Sequence, residues 1–121
     1  MDLRIDHVTV AGRDLDGLAD AFSAAGLPVE YGGRHSNGVT HMSIVGFRDG
    51  SYVELISTLD DGAASPWWDD AIRGHAGPCA WAVRADAIES MTAALRDRGR
   101  VLHGPRGYQP AREAGTLAAR E

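Results

Sequence analysis

The chain has 121 residues, enough for one domain with one hydrophobic core but not for two. Its net charge of −5 argues against a nucleic-acid partner, because phosphate binding needs a concentrated basic face. The single cysteine, Cys79, excludes an intrachain disulfide and is typical of a reducing compartment. No apolar run approaches the roughly 20 residues that span a bilayer, and the charged N-terminus does not resemble a signal peptide. We therefore expect a soluble cytoplasmic protein without a membrane partner.

The first third of the chain predicts a strand, a helix, a short extended segment and a loop. Residues 3–11 carry apolar side chains on both faces, which is typical of a strand that is covered on both sides. Asp14 is a suitable N-cap for a helix of apolar spacing, and Gly26 is its expected C′ residue. Residues 28–31 are expected to be extended, and the Gly-rich residues 32–38 to form a flexible loop.

A β-hairpin is the clearest local signal. Residues 40–47 and 51–57 are rich in β-formers and flank Asp49-Gly50, which favours a two-residue turn. This register pairs Val45 with Glu54 and sets Glu54 beside Ser43 and near His41. A three-residue loop would instead move the carboxylate onto the apolar face, where burying it without a partner is unfavourable. The two-residue register is therefore the prediction.

The remaining chain predicts a short helix, a strand, a longer helix and a further strand. Ser65 and Pro66 are expected at the start of the short helix, with Gly74 as its stop. Residues 78–83 form the predicted strand. A helix from Asp86 to Gly99 follows, then a strand from residue 101 and at most a weak strand at 116–119.

The chain repeats itself at an offset of 73 residues. Four apolar positions and one glycine recur in the same order. They are Val10, Leu15, Leu18, Phe22 and Gly26 in the first half, and Val83, Ile88, Met91, Leu95 and Gly99 in the second. One such module cannot bury both faces of its strands, whereas two modules can close a curved sheet with helices outside.

The segments "IDHVTVAGRDLDGLADAF", "GGRHSNGVTHMSIVGFRDGSYVELI" and "SPWWDDAIRGHAGPCAWAVRADAIESM" resemble the glyoxalase-like domain of the vicinal oxygen chelate superfamily, which includes glyoxalases, bleomycin-resistance proteins and dioxygenases. The resemblance covers roughly residues 4–103. It implies an α+β fold of paired βαβββ modules forming a curved mixed sheet with outer helices, the second module being incomplete at its C-terminal end. We expect a single domain over 1–121, with module one at 1–60, a linker with a short helix at 61–76 and a partial module two at 77–121.

The resemblance also implies a divalent metal ion in a cup formed by the sheet. The ligand position of the first strand falls on His7 and that of the fourth strand on Glu54. The third position falls on Pro78 or Ala80, which cannot bind a metal, and the fourth belongs to a strand that the chain is expected to lack. With two of four ligands the site would be degenerate, unless His75 or His41 supplies a third.

Seven residues are candidates for the site. Glu54 and His7 are the candidate catalytic and metal-binding residues, although each is also compatible with a structural contact. The candidate substrate-binding residues are His41, Ser43, Arg34, His35 and Trp67. Their structural alternatives are polar lining, a solvated loop and simple packing. Cys79 is expected to be structural and to point to the helix side, away from Pro78 and Ala80.

Two functions fit the resemblance. One is lyase or isomerase chemistry of the glyoxalase type, in which Glu54 takes a proton beside a carbonyl of a small oxygen-rich molecule. The other is a non-catalytic drug- or toxin-binding protein of the bleomycin-resistance type that needs no metal. A third hypothesis is that the chain is a remnant that ends before the last strand. The open sheet edge that this leaves predicts a homodimer, in which the partner covers the edge. A phosphate loop, a cysteine-pair zinc motif and a nucleophile elbow are all absent from the sequence.

Overall fold

A computed structural model describes residues 3–74 and 76–100. Its eight elements follow in chain order: β1 (Leu3–Ala11), α1 (Leu15–Ala24), β2 (Glu30–Arg34), β3 (Thr40–Gly46), β4 (Tyr52–Thr58), α2 (Asp69–Arg73), β5 (Gly77–Ala85) and α3 (Ile88–Asp97). The predicted strands at 101 and 116–119, and His75, lie outside the described residues. The predicted α+β class is confirmed.

The five strands form one mixed sheet in the order β2-β3-β4-β1-β5. Strand β1 runs parallel to β4, whereas β2 with β3 and β3 with β4 are antiparallel. This is the strand arrangement of a βαβββ module, as the sequence predicts. The chain divides into two compact units. One is His7–Trp81, and the other combines the residues up to Asp6 with those from Ala82 onwards. The candidate site lies within the first unit.

The His7–Trp81 unit has apolar clusters on both faces of its sheet. On the face that we call the α1 face, Val10, Leu15 and Leu55 pack with Leu18 and Phe22. On the opposite face, which we call the Glu54 face, the cluster consists of Ala11, Ile56 and Ile72 with Trp68, Ala71 and Cys79. The expectation that β1 is covered on both sides is confirmed for the end of the strand at Val10 and Ala11, whereas Leu3 and Ile5 at its start are exposed.

In the unit of the chain up to Asp6 and from Ala82, an ion pair joins β1 to β5. Arg84 Nη2 lies 2.6 Å from Asp6 Oδ1, and the Asp6 side chain is 3% exposed. The Arg84 guanidinium also donates from Nε to the same oxygen. A buried carboxylate is thus satisfied by a partner 78 residues away in the sequence.

The internal repeat is confirmed by the two long helices. Helix α3 starts and ends 73 residues after α1. Gly26 and Gly99 follow them with φ of 85° and 75°, the left-handed conformation that glycine adopts freely at C′. Each glycine donates its N–H to a carbonyl of the preceding helix turn, Ser23 in one case and Arg96 in the other. Spacing and C-caps therefore predict both helices correctly.

The short helix begins later than predicted. Helix α2 starts at Asp69, not near Ser65, and Trp68 precedes it at φ 57°. The Ser65 hydroxyl donates to the Trp67 carbonyl, and the Ser65 N–H donates to Asp69 Oδ1 at 2.8 Å. Serine side chains favour such local turns as readily as helix caps. The predicted stop at Gly74 is confirmed. Within the described residues, no helix is long and apolar enough to cross a membrane.

The loop of the β3–β4 hairpin has three residues, and the predicted two-residue turn is wrong. Phe47 donates its N–H to the Ser51 carbonyl at 2.9 Å, which leaves residues 48–50 in the loop. Gly50 has φ of 86°, the left-handed conformation that a three-residue hairpin requires at its last position. The Asp49-Gly50 pair is compatible with both loop lengths, so the sequence signal does not fix the register.

The longer loop shifts the pairing of β3 with β4 by one residue. Val45 lies opposite Val53, and Ile44 lies opposite Glu54. Glu54 therefore shares its face with Ile44 and Met42, because side chains alternate between the faces of a strand. This is the placement that the sequence disfavours for an unpartnered carboxylate. The partners that stabilise it come from other strands.

Candidate active site

Five polar side chains are buried on the Glu54 face of the His7–Trp81 unit. None of them is more than 6% exposed: His7, Thr9, His35, Thr40 and Glu54. Buried polar groups are rare unless they satisfy one another or serve a function. We call these five residues the polar cluster.

The parallel pairing of β1 with β4 positions three members of the polar cluster. His7 lies opposite Tyr52, and Thr9 lies opposite Glu54. The His7 ring stacks on the Tyr52 ring with centroids 4.7 Å apart. The Thr9 hydroxyl donates to Glu54 Oε1 at 3.4 Å. His7 and Glu54 thus share a face, as predicted, but are offset by two positions along the strands.

His35 brings the end of β2 to the same carboxylate. Its Nε2 lies 3.8 Å from Glu54 Oε2, and both side chains are 3% exposed. On the other side of the ring, Nδ1 lies 2.7 Å from Thr40 Oγ1. The sequence predicts His35 as a substrate-binding residue of a loop, and the structure places it against Glu54.

A tight turn over residues 35–40 holds this histidine. Asn37 Oδ1 accepts the backbone N–H groups of Val39 and Thr40 at 2.8 and 3.0 Å. Gly38 has φ of 71°, and its N–H donates to the His35 carbonyl. The predicted flexible loop over 32–38 is therefore β2 followed by an ordered Asx turn. Asn37-Gly38, a strong turn signal, is the sequence feature that indicates it.

The remaining candidates on β2 and β3 point to the α1 face. Arg34 lies opposite His41, and Ser43 lies opposite Leu55 of the α1-face core. The predicted grouping of His41 and Ser43 with Glu54 is wrong, because it depends on the two-residue hairpin register. Substrate binding by Arg34, His41 and Ser43 stays a prediction.

His41 has an environment of its own on the α1 face. Its Nδ1 lies 3.3 Å from the Tyr31 hydroxyl, and its ring lines a hollow of about 300 Å³ with Arg13 and Asp16. Burial lowers the pKa of His41 below the usual value, and the charge of Asp16 opposes this shift. The downward shift favours the neutral form of the ring, which can both donate and accept a hydrogen bond.

The two tryptophans have different surroundings. Trp68 packs on the cluster of Ala11, Ile56 and Ile72 on the Glu54 face. Trp67 is half-buried in the segment before α2, and its carbonyl accepts the Ser65 hydroxyl. One tryptophan thus stabilises the unit, and Trp67 remains the candidate for ligand contact.

Cys79 lies on the Glu54 face, and its predicted orientation toward the outer helices is wrong. It packs with the cluster of Ala11, Ile56 and Ile72, and its Sγ donates to the Thr9 carbonyl at 3.6 Å. Burial raises the pKa of the Cys79 thiol, and the charge of Glu54 raises it further. A strand with apolar residues on both faces does not reveal its orientation by alternation alone.

The described residues do not fit the metal site that the resemblance implies. Over residues 3–74 and 76–100, no group of three or more His, Cys, Asp or Glu side chains is arranged to hold a metal ion. His7 stacks on Tyr52, while the Glu54 oxygens face Thr9 and His35. Catalytic zinc sites use three protein ligands, and this set has two. We derive no step through a metal.

The fold and the polar cluster define a vicinal-oxygen-chelate module, with a histidine on its first strand and a carboxylate on its fourth. The sequence profile described as glyoxalase-like domain matches residues 5–118. The chain therefore belongs to the glyoxalase-like domain family. No curated protein matches the chain.

Solved structures with this fold include several methylmalonyl-CoA epimerases. A variant from Streptomyces coelicolor, in complex with 2-nitronate-propionyl-CoA, is 21% identical with a TM-score of 0.68, over 89% of this chain and 80% of that chain. The Mycobacterium tuberculosis enzyme is 18% identical with a TM-score of 0.67, over 88% and 71%. Another S. coelicolor variant with the same ligand is 25% identical with a TM-score of 0.61, over 83% and 73%. The TM-scores show that the fold is shared, and at these sequence identities the likeness shows the fold alone.

The electrostatic effect of Glu54 on the Cys79 thiol predicts how the alkylation rate depends on pH. Replacing Glu54 by Gln removes a negative charge near the thiol, so the pKa of Cys79 should fall. We expect the pH of half-maximal alkylation by iodoacetamide to decrease, with about two- to tenfold faster reaction at mildly alkaline pH.

The matched control is Glu30→Gln, which removes an exposed carboxylate on β2. Because this charge lies in solvent, the alkylation midpoint should stay at the wild-type value. An unchanged midpoint in Glu54→Gln would contradict the placement of Cys79 beside the carboxylate.

Proposed function

We propose that this protein binds a small oxygen-bearing organic molecule at the polar cluster and moves a proton on a carbon next to its carbonyl group. One observation carries the proposal: a carboxylate, Glu54, is buried on a central strand with the His35 ring beside one of its oxygens and the Thr9 hydroxyl on the other. A buried, oriented carboxylate is suited to act as a general base.

Glu54 is the proposed base and His7 the proposed second group. Strands β1 and β4 fix both on one face, two positions apart. The His7 ring is oriented by its stack on Tyr52, so its nitrogens keep a defined direction. In the proposed step Glu54 accepts the proton from carbon, and His7 donates a hydrogen bond to the carbonyl oxygen as charge develops there.

The solved structures support the choice of substrate class. They are described as methylmalonyl-CoA epimerases, and two of them contain 2-nitronate-propionyl-CoA. Epimerisation next to a thioester carbonyl requires that a proton leave and return at one carbon. For the present chain we propose an acyl thioester, or another carbonyl compound with an acidic C–H bond, as the ligand class.

Deuterium exchange tests this proposal. Methylmalonyl-CoA in D2O, followed by proton NMR, should lose its C2 proton signal faster with the protein than without it. Glu54→Gln keeps the size of the side chain but removes the base, so exchange should fall about 100-fold or more. Glu30→Gln, in the exposed position on β2, should retain the wild-type rate.

The outcomes of this experiment separate the two functions. Equal exchange in wild type and Glu54→Gln would end the proposed role of Glu54. A ligand-induced rise in melting temperature without exchange would favour the alternative, a metal-free binding protein of the bleomycin-resistance type. Elemental analysis of the same preparation, purified without chelator, should give well below one divalent metal ion per chain. A stoichiometric metal would contradict the metal-free chemistry.

We also propose a cytoplasmic homodimer. Within the described part of the chain, β5 is the last strand on its side of the sheet, and Trp81 on this strand is 63% exposed. An edge strand with an exposed aromatic side chain favours pairing with a second chain. Light scattering coupled to size exclusion should give about twice the mass of one chain at high micromolar concentration. A mass equal to one chain would contradict the dimer.

A further inference from the structure

The buried Nε2 of His35 has no function in the chemistry proposed above. Its Nε2 makes no hydrogen bond within the described residues, although its side chain is 3% exposed. Buried ring nitrogens are normally hydrogen-bonded, so an exception at a candidate site calls for an explanation. The atom that it faces is Glu54 Oε2, at 3.8 Å, which is too long for a hydrogen bond.

The hydrogen bonds around Thr40 determine which nitrogen of His35 carries the proton. Asn37 Oδ1 already accepts two backbone N–H groups, and Asn37 Nδ2 donates to Thr40 Oγ1 at 3.0 Å. The single hydroxyl proton of Thr40 then has two possible acceptors. His35 Nδ1 is 2.7 Å away, whereas the saturated Asn37 Oδ1 is 3.2 Å away. The hydroxyl therefore donates to Nδ1, and the neutral ring carries its proton on Nε2.

This assignment makes a chain of donors that ends at the carboxylate. Asn37 donates to Thr40, Thr40 donates to His35, and the Nε2–H of His35 faces Glu54. The Thr9 hydroxyl occupies the other carboxylate oxygen, Oε1. Both oxygens of Glu54 thus face a donor, which stabilises the charged form of a buried carboxylate. We call Asn37, Thr40 and His35 the relay.

We propose that His35 is a positioning residue for Glu54 and that the relay fixes its tautomer for this purpose. The inference rests on the proposed function of Glu54 as the base. In the step, the substrate C–H bond breaks, its proton goes to Glu54 and its electron pair goes to the carbonyl oxygen. Glu54 then no longer offers His35 a charged acceptor, so the relay favours return of the proton to carbon. The relay thus supports a reversible transfer.

The tautomer is measured directly by long-range ¹H–¹⁵N NMR on the uniformly labelled protein. The neutral ring of His35 should show a protonated Nε2 and an unprotonated Nδ1. Thr40→Val removes the donor to Nδ1 with little change in volume, and should give a mixture of both neutral forms. Thr40→Ser restores the hydroxyl and should restore the wild-type pattern.

The functional arm uses deuterium exchange with methylmalonyl-CoA. Thr40→Val should lower kcat about two- to tenfold with little change in KM, because only the fraction of His35 rings that keeps the proton on Nε2 still presents a donor to Glu54. Thr40→Ser should recover most of the rate. Thr92→Val removes a hydroxyl on α3 that donates to the Ile88 carbonyl of its own helix, and should keep the wild-type rate.

Each result decides one part of the proposal. A neutral wild-type ring protonated on Nδ1, or a Thr40→Val spectrum identical to wild type, overturns the relay. An unchanged kcat in Thr40→Val overturns the positioning role. A wild-type chain that catalyses no exchange contradicts the proposed function instead, and the spectra then still decide whether the relay exists.

Discussion

The Glu54 side chain is buried on one face of the sheet, 3% exposed, and the Thr9 and His35 side chains lie beside its carboxylate. Burying an ionised carboxylate without partners would cost several kcal/mol, more than most single contacts contribute. Thr9 on β1 and His35 at the end of β2 provide those partners. The parallel pairing of β1 with β4 places Thr9 opposite Glu54, and the Asx turn at Asn37 holds His35 against the same carboxylate.

The elements that were predictable from the sequence depend on local interactions. Helices α1 and α3 follow from apolar spacing and from Gly26 and Gly99, whose effects act within one helix turn. The repeat at an offset of 73 residues adds a second, independent reason for each. The α+β class and the mixed sheet follow from these elements and from the family resemblance.

The hairpin register could not be predicted because it depends on distant partners. The sequence argument against the three-residue loop holds only for an unpartnered carboxylate. Thr9 is 45 residues from Glu54 in the sequence, and no local pattern indicates that its hydroxyl reaches the carboxylate. With that partner and His35 present, Glu54 is tolerated beside Ile44 and Met42. The orientation of Cys79 is not predictable for another reason, because β5 carries apolar residues on both of its faces.

The candidate site was predictable only in part, because some of its contacts join residues that are distant in the sequence. His7 and Glu54 were identified, and they share a face of the sheet. Thr9 and Thr40 carry no sequence signal, because hydroxyl residues are common in strands and only their burial distinguishes them. The sequence predicts His35 as a substrate-binding loop residue, whereas its contact with Glu54 depends on the turn that Asn37 forms.

A double-mutant cycle between His35 and Glu54 measures the central claim most directly. The free energy of unfolding in urea would be compared for wild type, His35→Leu, Glu54→Gln and the double variant. If His35 stabilises the buried carboxylate, the two substitutions should be coupled by about 1–3 kcal/mol. The same cycle with the exposed Glu30 in place of Glu54 should be additive. Additivity within about 0.5 kcal/mol for His35 and Glu54 would contradict the account.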